Sequence, residues 1–168
     1  GIKEEILGDL LAEVAPVAFS SSLRFLRGLG GFEAETPRAL VSSSPESSVY
    51  KVLNEIPELE SMFEAVVSAE DVYRGRPDPE GYLYAAQRLS RPPFRCVVVG
   101  NSNASVEAAH EVGMKCVVLA GSRPLYETGA ADLVVRSLDE VSSTNLKKLL
   151  DFEQADAVSH SDIAEDMY

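Results

Sequence analysis

The chain has 168 residues, 45% of them apolar and 25% charged, with no tryptophan and a formal charge of −12. That length suits one domain or most of one, and the apolar share excludes a chain disordered throughout. No apolar run nears the roughly 20 residues that a bilayer span needs, and an acidic chain repels a phosphate backbone, so a membrane span and nucleic-acid binding are both set aside.

Ile2, Ile6, Leu7, Leu10, Leu11 and Val14 form an apolar helical stripe, which Pro16 breaks. A second helix carries Leu23, Leu26 and Leu29 and ends before Gly30 and Gly31. The first strand is expected at Ala39–Val41. After it, Ser44 can cap a helix with Pro45 at its first position, and Val49, Val52, Leu53 and Ile56 recur at helical spacing up to Pro57. A second strand is expected at Ala65–Val67. Pro79 then opens a helix with Tyr82, Leu83, Ala86 and Leu89 on one face. Cys96–Val99 is the third expected strand. Ser102 begins the next helix, Val106, Ala109 and His110 are spaced along it, and Gly113 ends it. Cys116–Leu119 and Leu133–Val135 complete the strands. Short valine-rich runs of this kind suit strands covered on both faces. Their alternation with helices predicts an α/β fold with a mainly parallel sheet.

The organisation follows. Residues 1–35 are a helical segment, 36–150 an α/β core, and 151–168 an acidic tail. The tail holds six acids and no Lys or Arg, which leaves −6 for residues 1–150. It reads as a solvated terminus. Val158, Ile163, Met167 and Tyr168 would be its anchors if it docks instead. The two cysteines, Cys96 and Cys116, each open an apolar run and read as reduced core residues, with no disulfide or metal site. A soluble protein of a reducing compartment is expected, in the cytosol or in an organelle interior such as the plastid stroma.

In doubly wound sheets, sites form at the carboxyl ends of strands. Three such ends are polar here. Ser42, Ser43 and Ser44 follow the first strand. Glu70 and Asp71, then Arg74, Gly75, Arg76, Pro77, Asp78 and Pro79, follow the second. Gly100, Asn101, Ser102 and Asn103 follow the third. Hydroxyls, a helix N-terminus and a nearby cation suit phosphate.

Taken in this order, the segments from about Pro37 to Leu138 resemble the haloacid dehalogenase superfamily, in its β-phosphoglucomutase-like, sugar-phosphate phosphatase branch. Val41–Pro45 resembles the second motif of that family, Val66–Val72 with Gly75–Pro79 the third, and Val98–Ser102 with Glu107–Ala109 and Val112–Met114 the fourth. The resemblance implies a Rossmann-like three-layer core. It also implies phosphate binding at Ser42, Ser43 and Arg76, and a Mg²⁺ site at Gly100 and Asn101.

The chain departs from the family at those places. Arg76 stands where the family has Lys, and the two are not equivalent in shape. Gly100 and Asn101 stand where it has metal-binding acids, and Mg²⁺ favours carboxylates. The Asp-x-Asp of the first motif does not occur in the sequence. In the family that motif supplies an aspartyl nucleophile and a general acid/base. The first-motif strand and most of the cap domain are therefore expected to be absent from this chain, with residues 1–13 as the last cap helix. An upstream segment or a protein partner is expected to complete the sheet.

Read alone, the sequence favours a catalytically degenerate member that acts as a structural or binding subunit without a cofactor. The alternatives are an active Mg²⁺-dependent phosphatase or phosphomutase with its Asp upstream, and a sensor of a small phosphorylated metabolite. Asn101 can instead shape a turn. His110 and His160 read as non-catalytic, and Tyr73 and Tyr82 read as core.

Overall fold

The computed structural model describes residues 24–28, 36–56, 58–142 and 144–150. Five strands and three longer helices alternate along it: β1 (Ala39–Val41), α1 (Glu46–Glu55), β2 (Ala65–Val67), α2 (Glu80–Arg88), β3 (Val97–Gly100), α3 (Asn103–Glu111), β4 (Lys115–Leu119) and β5 (Leu133–Val135). Residues 24–28 and 144–150 are also helical. Every strand pairing is parallel. The α/β class and the parallel strands agree with the sequence, and the strand positions agree to within a residue or so. The expected helices at 1–14 and the acidic tail lie outside the described residues, as does most of the second helix.

The parallel strands fall into two sheets among the described residues, as expected of a sheet whose central strand is absent from the chain. β1 pairs with β2, and β3, β4 and β5 pair in that order. Backbone alternation shows which edges are left over. Ser42 N–H donates to the Val67 carbonyl at 2.8 Å, so the Val41 backbone groups turn to the other side. Lys115 N–H donates to the Cys96 carbonyl, so the groups of Val97 and Val99 likewise turn away from β4. Among the described residues, no strand pairs with either of those edges.

Side chains join the two sheets on both faces. On one face, Tyr82 and Ala86 of α2 pack with Val106, Ala108 and Ala109 of α3 and with Cys116 and Val118 of β4. Val41 and Val98 pack against the same cluster. Gly81 brings α2 close to β1, because a Cβ there would lie 3.2 Å from a Val41 methyl. On the other face the helical residues 24–28 straddle the division. Phe25 joins Val99, Val117, Val135 and Leu138, and Leu26 joins Leu40, Val49, Leu53 and Leu59. Arg38 reinforces this with a 2.8 Å hydrogen bond to the Leu26 carbonyl.

Helix ends show where local reading succeeds and fails. Ser102 caps α3, its hydroxyl accepting from Ser105 N–H at 3.3 Å. Gly113, at φ +79°, turns the chain after α3, and Met114 N–H reaches back to the Ala109 carbonyl. Ser44 does not cap α1. The helix begins at Glu46, and the Glu70 carboxylate accepts from Glu46 N–H at 2.8 Å. Leu83 is exposed on α2, whose buried residues are Tyr82, Ala85 and Ala86. Tyr73, expected in the core, is fully exposed. The two cysteines are free, and the register sets Val98, not Cys96, beside Cys116.

Candidate functional site

All five sequence-predicted site residues lie at or beyond the carboxyl ends of parallel strands. Ser42 and Ser43 follow β1, Arg76 follows β2, and Gly100 ends β3 with Asn101 after it.

The loops after β1 and β2 are stitched together. Ser42 is buried, and its hydroxyl accepts from Ser44 N–H at 3.0 Å while its own proton can still donate. Ala69 N–H donates to the Ser44 carbonyl. Ser68 and Asp71 form a reciprocal capping box. Glu70 sits at the N-terminus of α1, and the backbone N–H of Glu46 holds its carboxyl below the usual carboxylate range. The N-terminus of α1 therefore already carries an anion. Ser43 is exposed.

Arg76 is half-buried and leans on α2. Its Nη1 donates to the Tyr82 hydroxyl at 3.4 Å, and its guanidinium carbon lies 5.5 Å from the ring centroid. The Arg76–Pro77 peptide is cis. Glu80 organises the preceding loop by accepting from Tyr73 N–H and Arg74 N–H, both at 2.9 Å. Burial pushes the Tyr82 phenol up, and the Arg76 charge and the Ser105 hydrogen bond pull against it.

The turn after β3 is held by a residue that sequence reasoning missed. Arg123 Nη2 donates to the Asn101 carbonyl and, at 3.2 Å, to that of Leu119. Its Nε donates to Ala120 O at 3.2 Å. Arg136 Nη1 in turn donates to the carbonyls of Gly121 and Arg123. Two guanidinium groups thus line the carboxyl edge between β3 and β5. No local pattern marks Arg123, since its partners lie up to 22 residues away.

The Asn101 side-chain oxygen is buried without a hydrogen-bond partner. It is neutral, its neighbour Gly100 has no side chain, and the described residues hold no group of three or more His, Cys, Asp or Glu that could hold a metal ion. Mg²⁺ is normally held by carboxylates and water. The described residues therefore do not by themselves fit the ion. His110 lies elsewhere: its Nε2 is 2.7 Å from Asp132, which also accepts from Cys116 N–H at 2.7 Å, at the amino end of β4. No helix among the described residues is long and apolar enough to cross a membrane.

Comparison with known proteins shows the family and the fold. A model described as haloacid dehalogenase-like hydrolase matches residues 4–113. The chain is 52% identical over 115 residues to the chloroplastic 5-amino-6-(5-phospho-D-ribitylamino)uracil phosphatase of Arabidopsis thaliana, covering 68% of this chain and 31% of that protein. It is 35% identical over 137 residues to the phosphorylated carbohydrates phosphatase of Thermotoga maritima, covering 79% and 60%. The chain thus spans between 31% and 60% of the length of these relatives. Among solved structures, the β-phosphoglucomutase of Clostridium difficile superposes with a TM-score of 0.68 at 20% identity, covering 79% of this chain and 56% of that one, a likeness of fold.

Proposed function

The chain belongs to the haloacid dehalogenase-like hydrolases, and from that premise we propose that it forms the phosphate-binding part of a phosphomonoester phosphatase. One more parallel strand, from a segment of the same polypeptide upstream of the described residues, would complete the catalytic site. The observation that carries this reading is the division of the sheet. Val41 on one side and Val97 and Val99 on the other turn backbone groups to edges that no described strand pairs with. Buried backbone groups need partners. Side-chain clusters already cover both faces of the division. A strand entering there would end beside Ser42 and Asn101, where a nucleophilic carboxylate would meet the phosphate. Ser42, Ser43 and Arg76 are the phosphate ligands in this reading, and no metal step is assigned to the described residues. The substrate class is a small phosphorylated metabolite, in line with the phosphatase names of the relatives. The chloroplastic relative makes the plastid stroma the compartment to test first.

A second reading has specific support. Arg76, Gly100 and Asn101 replace the lysine and the acids that the family resemblance implies, which favours a catalytically degenerate binding or structural subunit. Assaying the natural polypeptide separates the two. Hydrolysis of 5-amino-6-(5-phospho-D-ribitylamino)uracil or of sugar phosphates, abolished by EDTA, supports the phosphatase. Binding of the same compounds without turnover supports a sensor. Neither turnover nor binding supports the structural subunit.

A further inference from the structure

The polar loops after β2 and β3 lie on different halves of the divided sheet, yet a part-buried chain of hydrogen bonds connects them. Arg76 Nη1 donates to the Tyr82 hydroxyl at 3.4 Å. Tyr82 is 5% exposed and hydrogen-bonds Ser105, which is fully buried in α3. Ser105 lies against Ser102, with the two hydroxyls 3.3 Å apart and Ser105 N–H on Ser102 Oγ at 3.3 Å. Ser102 adjoins Asn101, whose carbonyl Arg123 holds.

The chain converges on the Tyr82 oxygen. A guanidinium has no acceptor, so the Tyr82 oxygen must accept from Arg76. The same oxygen also accepts from the Ser105 hydroxyl, because a hydrogen bond that pulls the phenol down is one donated to its oxygen. Ser105 Oγ can in turn accept from the Ser102 hydroxyl 3.3 Å away, while Ser102 Oγ accepts from Ser105 N–H. Linked bonds of this kind polarise one another, and burial keeps water from competing. A ring that served only as packing would need none of these partners.

We propose that Tyr82 is a positioning residue: its phenol fixes the Arg76 guanidinium at the carboxyl edge and ties it, through Ser105, to Ser102 at the head of α3. An anion held by Arg76 is thereby coupled to the turn after β3. This rests on the reading that Arg76 takes the phosphate of the substrate. Tyr82→Phe keeps the ring, its packing and its face, and removes only the link.

The test uses the natural polypeptide and inorganic phosphate as the probe, followed by calorimetry. Tyr82→Phe is expected to weaken phosphate about tenfold, the scale of one lost hydrogen bond to a charged group. Ser105→Ala should weaken it less, and the double variant should be no worse than Tyr82→Phe alone. Independently of any ligand, the Tyr82 hydroxyl resonance should titrate at higher pH in Arg76→Gln, because the cation that favours the phenolate is gone. Unchanged phosphate affinity in Tyr82→Phe, with weakened affinity in Arg76→Gln, overturns the proposal. So does a phenol titration that Arg76→Gln leaves in place. Unchanged phosphate affinity in Arg76→Gln overturns the reading of the site, and the proposal with it, while the titration still reports whether the link exists.

Discussion

Phe25 and Leu26 are consecutive residues that pack into different cores. Phe25 lies among Val99, Val117 and Val135 of the three-stranded sheet, and Leu26 among Leu40, Val49 and Leu53 of the two-stranded half. A helix places consecutive side chains about 100° apart, so one turn can face two clusters at once. These two residues hold the halves together from one face.

Removing either should therefore destabilise the whole chain. Phe25→Ala is expected to cost about 3–5 kcal/mol and Leu26→Ala about 2–5 kcal/mol. Urea unfolding checks the sum. Hydrogen exchange checks the direction: Phe25→Ala should first lose protection in β4, and Leu26→Ala in β1.

Arg123 should matter for the shape of the site more than for overall stability. It is exposed, and its hydrogen bonds to the Asn101 and Leu119 carbonyls are open to water, so Arg123→Ala is expected to cost only about 1 kcal/mol. Faster amide exchange should appear at Asn101 and Ser102 and be absent at the amino end of β4. Arg123→Lys should restore little, because a single ammonium cannot span carbonyls of two strands as the planar fork does.

The cysteines should differ in reactivity. Burial, helped by the Asp132 charge, pushes the Cys116 thiol up to about 12, and burial also raises that of Cys96. The reactive species is the thiolate. At neutral pH, iodoacetamide should label Cys96 before Cys116 in the native protein, and both should react promptly in denaturant. Peptide mass spectrometry reads the order.

Acid should act through three carboxylates. The Arg24 guanidinium holds Asp139 below its ordinary range through paired bonds at 3.0 and 2.7 Å, and backbone N–H groups do the same for Glu70 and Glu140. A folded-state value below the unfolded one contributes stability that is present above the unfolded value. It is lost as pH falls through the folded one. The melting temperature should therefore hold through neutral pH and drop below about pH 4. Asp139→Asn should shrink the drop. All three groups are on the surface, so salt should shrink it too.

What the sequence disclosed is what short-range chemistry encodes. Valine-rich runs marked all five strands, and Ser102 and Gly113 marked the two ends of α3, because caps and turns depend on neighbouring residues. Long-range features were not legible. Glu70 reaches the start of α1 from 24 residues away and displaces the cap expected of Ser44. Tyr73 read as core beside the third motif, but it lies in a loop whose backbone Glu80 holds, and its ring is fully exposed. The motif residues were located correctly on the strand ends. The arginines that hold the turns after β3 and β4 were not, since nothing near Arg123 or Arg136 in the chain points to their carbonyl partners.

Arg88 Nη1 donates to the Val66 carbonyl at 3.0 Å. Val67 faces β1, so Val66 faces outward, and this guanidinium plugs the outer margin of β2. Such a margin is otherwise a template for another molecule's strand. The plug makes the two margins of β1–β2 unequal, leaving the inner one more open to a newcomer.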